Sequence, residues 1–128
     1  MSDSVHVSSV GAIVSTNSAY RRANFGGMYM TAEGKAFKSR IALAAKLAMG
    51  HRVPYTGPVS IEIGYWFKTA ANDIDGPVKL TVDALQGIVF KNDRQVVHLA
   101  VDKYRALDPE HVGVALTVRP VENAEGAE

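Results

Sequence analysis

Asp73 and Asp75 are separated by one residue, and an extended backbone would point both carboxylates to the same side, where two anionic oxygens can share a hard cation. Lys79 follows four residues after Asp75 at the start of an expected helix, where an ammonium can sit beside a phosphate or a developing oxyanion. Asp93 can close such a site from the next element. The segment Asn72 to Val97 thus sets four aspartates and two lysines among apolar residues. That is the composition a Mg²⁺-dependent phosphodiesterase site requires, with Mn²⁺ as the alternative cation. Asp83 shares a helical stripe with Lys79 and Gln86, so it pairs with the lysine, orients it, or is only solvated. Seen alone, Asp-x-Asp before a helix also reads as a turn and a cap.

The elements that must position these groups follow from periodicity and punctuation. Val5 to Val14 reads as a strand, followed by a polar loop from Ser15 to Gly27. Thr31 is the expected cap of a helix over Ala32 to Met49, stopped by Gly50. Lys35, Lys38 and Lys46 share one side of that helix, and Phe37, Ile41, Ala44 and Ala48 another. Arg40 lies between Leu43 and Phe37, so it either snorkels along the core edge or turns toward something functional. Pro58 to Lys68 alternates apolar and smaller or polar residues as a strand with one buried face. Pro77 suits the first turn of a helix running to about Gln86, with Gly87 ending it. Arg94 to Arg105 and His111 to Arg119 read as two further strands around a turn at Asp108-Pro109. The order strand, helix, strand, helix, strand, strand predicts an α+β domain, a small mixed sheet covered by two helices, spanning residues 1–120.

Composition bounds the function. A chain of 128 residues, 47% of them hydrophobic, has material for one core. The absence of cysteine excludes disulfides, thiolate metal sites and cysteine nucleophiles. No apolar run reaches membrane-spanning length and the first residues lack the pattern of a signal peptide, so a soluble, cytoplasmic protein is expected. The net charge of +1 averages two unlike halves: residues 1–79 hold nine Lys/Arg against five Asp/Glu, and residues 80–128 five against eight. Part of that acidic surplus lies in the tail 121–128, expected to be disordered. Histidines 6, 51, 98 and 111 have no ligand spacing.

Several motifs in a fixed order resemble those of the RusA-type Holliday junction resolvases, small homodimeric endonucleases of bacteria and their phages. They are Ser15-Thr-Asn-Ser-Ala-Tyr-Arg-Arg22, Thr31-Ala-Glu-Gly-Lys-Ala-Phe-Lys38, Asp73-Ile-Asp75, Lys79, Asp83-Ala-Leu85 and Asn92-Asp93-Arg-Gln-Val96. The resemblance implies that Asp73, Asp75 and Asp93 hold Mg²⁺ with Lys79 as the essential lysine. It further implies that a homodimer resolves four-way DNA junctions by paired nicks leaving 5′ phosphates, in recombination and repair. Tyr20, Arg21 and Arg22 then belong to a substrate-contacting loop, and Lys35, Lys38 and Lys46 to a basic surface for phosphates. Two positions depart from the family pattern: Gly76-Pro77 stands where Asn usually follows the second aspartate, and Asn92 replaces the first of two aspartates. A branched-DNA binding module without catalysis and a structural or protein-interaction domain remain as alternative functions.

Overall fold

Val59, Ile61, Ile63, Tyr65 and Phe67 alternate along one strand with Ser60, Glu62, Gly64 and Trp66, and all five are buried while the intervening four are not. In the computed structural model, which describes residues 3–122, this strand is the spine of a four-stranded sheet. The strands are β1 (Val5–Val10), β4 (Val59–Phe67), β5 (Val96–Arg105) and β6 (Gly113–Pro120), in the order β1-β6-β4-β5. β6 runs antiparallel to both β1 and β4, whereas β5 runs parallel to β4. The sheet is therefore mixed, and the fold is α+β as expected. A separate hairpin pairs β2 (Tyr20–Arg22) with β3 (Met28–Met30).

Among the described residues three helices complete the fold: α1 (Thr16–Ala19), α2 (Ala32–Met49) and α3 (Val78–Leu85). Thr31 caps α2 by accepting from the Gly34 amide at 3.1 Å, and Gly50, with φ +57°, ends it. The buried stripe of α2 is Gly34, Phe37, Ile41, Ala45 and Met49. It lies a little round the helix from the expected one, so that Ala44 and Ala48 pack at its margin. Gly34 is where the helix meets α1, since a Cβ there would come within 2.7 Å of Ala19 Cβ. Leu80, Ala84 and Leu85 of α3 join this stripe over the apolar face of β4 in one core.

The opposite face of the sheet carries the Arg119–Glu62 ion pair at 2.9 Å, the His6–Thr117 hydrogen bond at 2.9 Å and the Trp66–Tyr104 ring pair. β5 is an edge strand on which Val97, Leu99 and Tyr104 remain exposed. Among the described residues no helix is long and apolar enough to cross a membrane. Of the acidic tail, residues 123–128 lie outside the described residues.

Several boundaries differ from the sequence expectation. β1 stops at Val10 because Gly11, at φ +143°, turns the chain aside, and Ala12 to Val14 run on as an irregular connector. The expected loop from Ser15 to Gly27 instead contains α1, β2 and the turn of the hairpin. β5 begins at Val96, after a 3₁₀ turn over Asp93–Gln95, and β6 at Gly113, after another over Pro109–His111.

Candidate active site

Residues 68–77 leave the end of β4 and return as α3. The chain turns here rather than staying extended: the Gly76 amide donates to the Asp73 carbonyl at 3.3 Å and the Val78 amide to the Asp75 carbonyl at 3.2 Å. Asp73 and Asp75 nevertheless face one cavity of about 520 Å³, together with Lys79, Asn72, Ser15, Thr16 and Asn17. The two carboxylates and the lysine line one cavity because turn and first helical residues stand side by side, not because a strand alternates.

The acidic turn is held from three sides. The Thr16 amide donates to the Gly76 carbonyl at 2.7 Å, tying it to the start of α1. Lys103 of β5 donates from Nζ to the carbonyls of Asn72 at 2.7 Å and Ala70 at 3.1 Å. From beneath, the Tyr65 hydroxyl lies 2.7 Å from Thr81 Oγ1, which donates to the Pro77 carbonyl at 2.9 Å. Burial pushes the Tyr65 phenol far above its ordinary range, only partly offset by the Thr81 hydrogen bond, so it stays a neutral donor. Arg40 turns toward the connector: its Nη2 donates to the Ala12 carbonyl, and its guanidinium occupies the space a Cβ on Gly11 would need.

Lys79, which lines the cavity, has its Nζ 3.5 Å from Oδ2 of Asp83, one helical turn on and outside that lining. Lys79 is largely exposed and Asp83 mostly covered, so the carboxylate is the fixed partner and the ammonium remains free to reach outward. Carboxylates, hydroxyls and amide oxygens form a hard-oxygen donor set without sulfur or imidazole. Beside them Thr16 Oγ1 is buried with no hydrogen-bond partner among the described residues. Such a lining fits Mg²⁺, which takes one or two carboxylates and keeps several waters.

Asp93 does not join this cavity within one chain. It sits exposed on the 3₁₀ turn before β5, capped by Asn92, whose Oδ1 accepts from the Arg94 amide at 2.9 Å. Gln95 anchors that turn by donating to the carbonyls of Tyr55 and Gly57 at 2.8 Å. Because β5 is parallel to β4, with Val59 opposite Val96 and Phe67 opposite Arg105, Asp93 precedes the start of the pair while Asp73 follows its end. Eight residue steps at ~3.3 Å put about 26 Å between those ends. Accordingly, no group of three metal-ligating side chains forms among the described residues.

The basic residues are placed apart from the cavity. Arg21 and Arg22 are exposed on β2 and Tyr20 is half-buried opposite Met30. Lys35 and Lys46 are exposed and Lys38 half-buried on α2, where Lys35 and Lys46 stand about 16 Å apart along the axis. None of the six lines the acidic cavity. Sequence reasoning missed the hairpin, whose tip carries a fully exposed Phe25 and whose β3 exposes Met28 and Tyr29. Gly26 and Gly27, both at positive φ, were its readable signal. Lys103 was also missed, and only the pairing of β5 with β4 reveals it. The two departures have structural reasons: a Cβ at Gly76 would come within 3.0 Å of Ser15 Cβ, and Asn92 serves as a cap that needs no second carboxylate.

Comparison with known proteins identifies relatives of the chain. A family profile described as Endodeoxyribonuclease RusA matches residues 10–117, which include every residue discussed above in the cavity and its braces. The chain is also 30% identical, over 100 aligned residues, to the uncharacterized protein YqaN of Bacillus subtilis (strain 168), covering 61% of this chain and 70% of that protein.

Proposed function

Because the chain belongs to the RusA family of endodeoxyribonucleases, we propose that it is a Mg²⁺-dependent, structure-selective nuclease that resolves four-way DNA junctions as a homodimer. The observation that carries this reading is the gathering of Asp73, Asp75 and Lys79 in one polar cavity on a turn braced from three sides. Asp73 and Asp75 would hold the cation, with Mn²⁺ as a substitute. When bound, it supplies Lewis-acid polarisation of the scissile phosphate, an activated water and stabilisation of the leaving 3′ oxygen. Lys79 places its ammonium against the phosphate, and Asp83 sets its direction. Arg21, Arg22 and the lysines of α2 neutralise phosphates away from the cut.

A third carboxylate reaches the cavity from a second copy. A two-fold axis beside the outer edge of β5 would reverse one β5 against the other. The Asp93 end of each copy would then meet the Lys103 end of its partner, where Lys103 touches the acidic turn. Two composite sites related by symmetry suit a substrate with two-fold symmetry and paired cuts. The product is a pair of ligatable nicks with 5′ phosphates, formed in the cytoplasm during recombination and repair.

The test is incubation with a mobile four-way junction and a matched linear duplex, with and without Mg²⁺, beside Asp75→Asn. Paired, ligatable nicks confined to the junction, the metal and the unmodified protein support the reading. Junction binding without nicking by the unmodified protein would turn it into a binding module, and neither would reject it.

A further inference from the structure

Trp66 and Tyr104 stack on the face of the sheet opposite the acidic cavity, with ring centroids 4.7 Å apart and planes inclined by 23°. Gly64 makes room for them: a Cβ there would come within 2.9 Å of Trp66 Cζ3 and 3.3 Å of Tyr104 Cε2. With Val10 and Leu107 the two rings wall a cavity of about 560 Å³, and Ser8, Glu110 and His111 stand at its rim. Leu107 is 93% exposed and Val10 68%. This is a concave apolar slot with a few hydrogen-bonding groups, of the size that takes a small flat guest.

Two observations indicate what the guest is. The rest of this face is polar, with the Arg119–Glu62 ion pair and the His6–Thr117 hydrogen bond, so a second copy laid over the sheet would have to desolvate both. The apolar part is a local slot and not the broad face that sheet stacking needs. The slot is also placed beside the site: Phe67, next to Trp66 on β4, lines the acidic cavity on the other face. A cleft lined by Ile13, Phe67, Asn72 and Val112 runs over the strand end between them.

We propose that this slot receives an unstacked nucleobase of branched DNA, held against the Trp66–Tyr104 pair. The proposal rests on the nuclease reading and adds to it a means of telling a branch from a duplex. Bases at a branch point are easily unstacked, every base offers a π-face, and those in a continuous duplex are already stacked. Ser8, Glu110 and His111 supply donors and acceptors for the base edge.

Trp66 is the single tryptophan, so its emission reports directly on the slot. The full chain, without Mg²⁺, is titrated with a dye-labelled four-way junction, with the same junction carrying abasic sites at its four central nucleotides, and with linear duplex. Dye anisotropy measures binding independently. The junction should quench Trp66 strongly at saturation, and the abasic junction and duplex should bind with little quenching. Tyr104→Leu should weaken junction binding about tenfold and leave duplex binding unchanged. Saturated junction binding with unmoved emission, or equal quenching by the abasic junction, overturns the slot and leaves the nuclease reading standing. A Trp66→Ala variant that sediments as a smaller species than the unmodified protein overturns it in favour of a protein interface. No junction binding at all removes both.

Discussion

The hydroxyl of Tyr65 lies 2.7 Å from Thr81 Oγ1 where β4 meets α3, and both residues are fully buried. Thr81 donates to the Pro77 carbonyl, so the oxygen it offers Tyr65 acts as acceptor and the phenol as donor. One chain of hydrogen bonds therefore runs from the middle of the sheet to the residue two places after Asp75. It fixes the start of α3, and with it Lys79, to the strand that ends at the acidic turn.

Removing either end of this chain should have unequal effects. Tyr65→Phe leaves Thr81 bonded to Pro77 and should cost about 0.5–1.5 kcal/mol. Thr81→Val leaves a buried phenol without an acceptor and should cost about 1–3 kcal/mol, while the Pro77 carbonyl keeps the Thr81 amide at 3.1 Å. Urea unfolding monitored by circular dichroism compares the two.

The raised Tyr65 value also predicts an alkaline signature. The folded state keeps a proton that the unfolded chain loses near the ordinary value of 10.0. The contribution is therefore whole below that pH, and is lost at up to about 1.4 kcal/mol per pH unit as pH rises toward the folded-state value. Tyr65→Phe should flatten the fall in stability between pH 9 and 11. An unchanged alkaline slope would show that Tyr65 is not the group responsible.

Lys79 and Asp83 should separate catalysis from stability. Their contact, at 3.5 Å with the lysine largely exposed, is a surface ion pair, so Lys79→Ala should shift stability by less than about 0.5 kcal/mol. If the ammonium meets the scissile phosphate, the same change should lower the single-turnover rate by a factor on the order of 100 or more. Asp83→Asn should give a smaller loss, since it frees the lysine without removing it.

Lys103 offers a test of the brace. Lys103→Met keeps the stem but removes the donors to Asn72 and Ala70, leaving the acidic turn less well held. The Mg²⁺ concentration for half-maximal nicking should rise about tenfold, in line with other residues that orient metal ligands from behind. The rate at saturating Mg²⁺ should change little. A lowered rate with an unchanged Mg²⁺ requirement would place Lys103 elsewhere in the reaction.

What was legible in the sequence was local. Alternation along β4 and the Thr31 and Gly50 punctuation of α2 depend on neighbours in the chain, and they marked those elements to within a residue. Asp73, Asp75 and Lys79 fall within seven positions, so bringing them to one cavity needed only one turn. The hairpin was missed because strands of three residues hold too little pattern, and β1 was drawn too long because Ala12 to Val14 are apolar yet serve as a connector that packs on the core. The position of Asp93 depends on β5 running parallel to β4, a long-range relation that no local pattern states.

That relation leads to the sharpest prediction for the proposed homodimer. If each composite site takes Asp73 and Asp75 from one copy and Asp93 from the other, Asp75→Asn and Asp93→Asn should each abolish nicking when alone. Mixed and allowed to exchange subunits, they should recover it. In the mixed dimer one site then collects both substitutions and the other collects none, because the Asp93→Asn copy contributes an intact pair and the Asp75→Asn copy an intact Asp93. A site assembled within one chain would leave a lesion in both sites, and mixing would restore nothing. The recovered activity should consist of single, unpaired nicks, since only one site per dimer works. Denaturing gels of a junction labelled on each strand in turn would show whether nicking returns and whether the cuts remain paired.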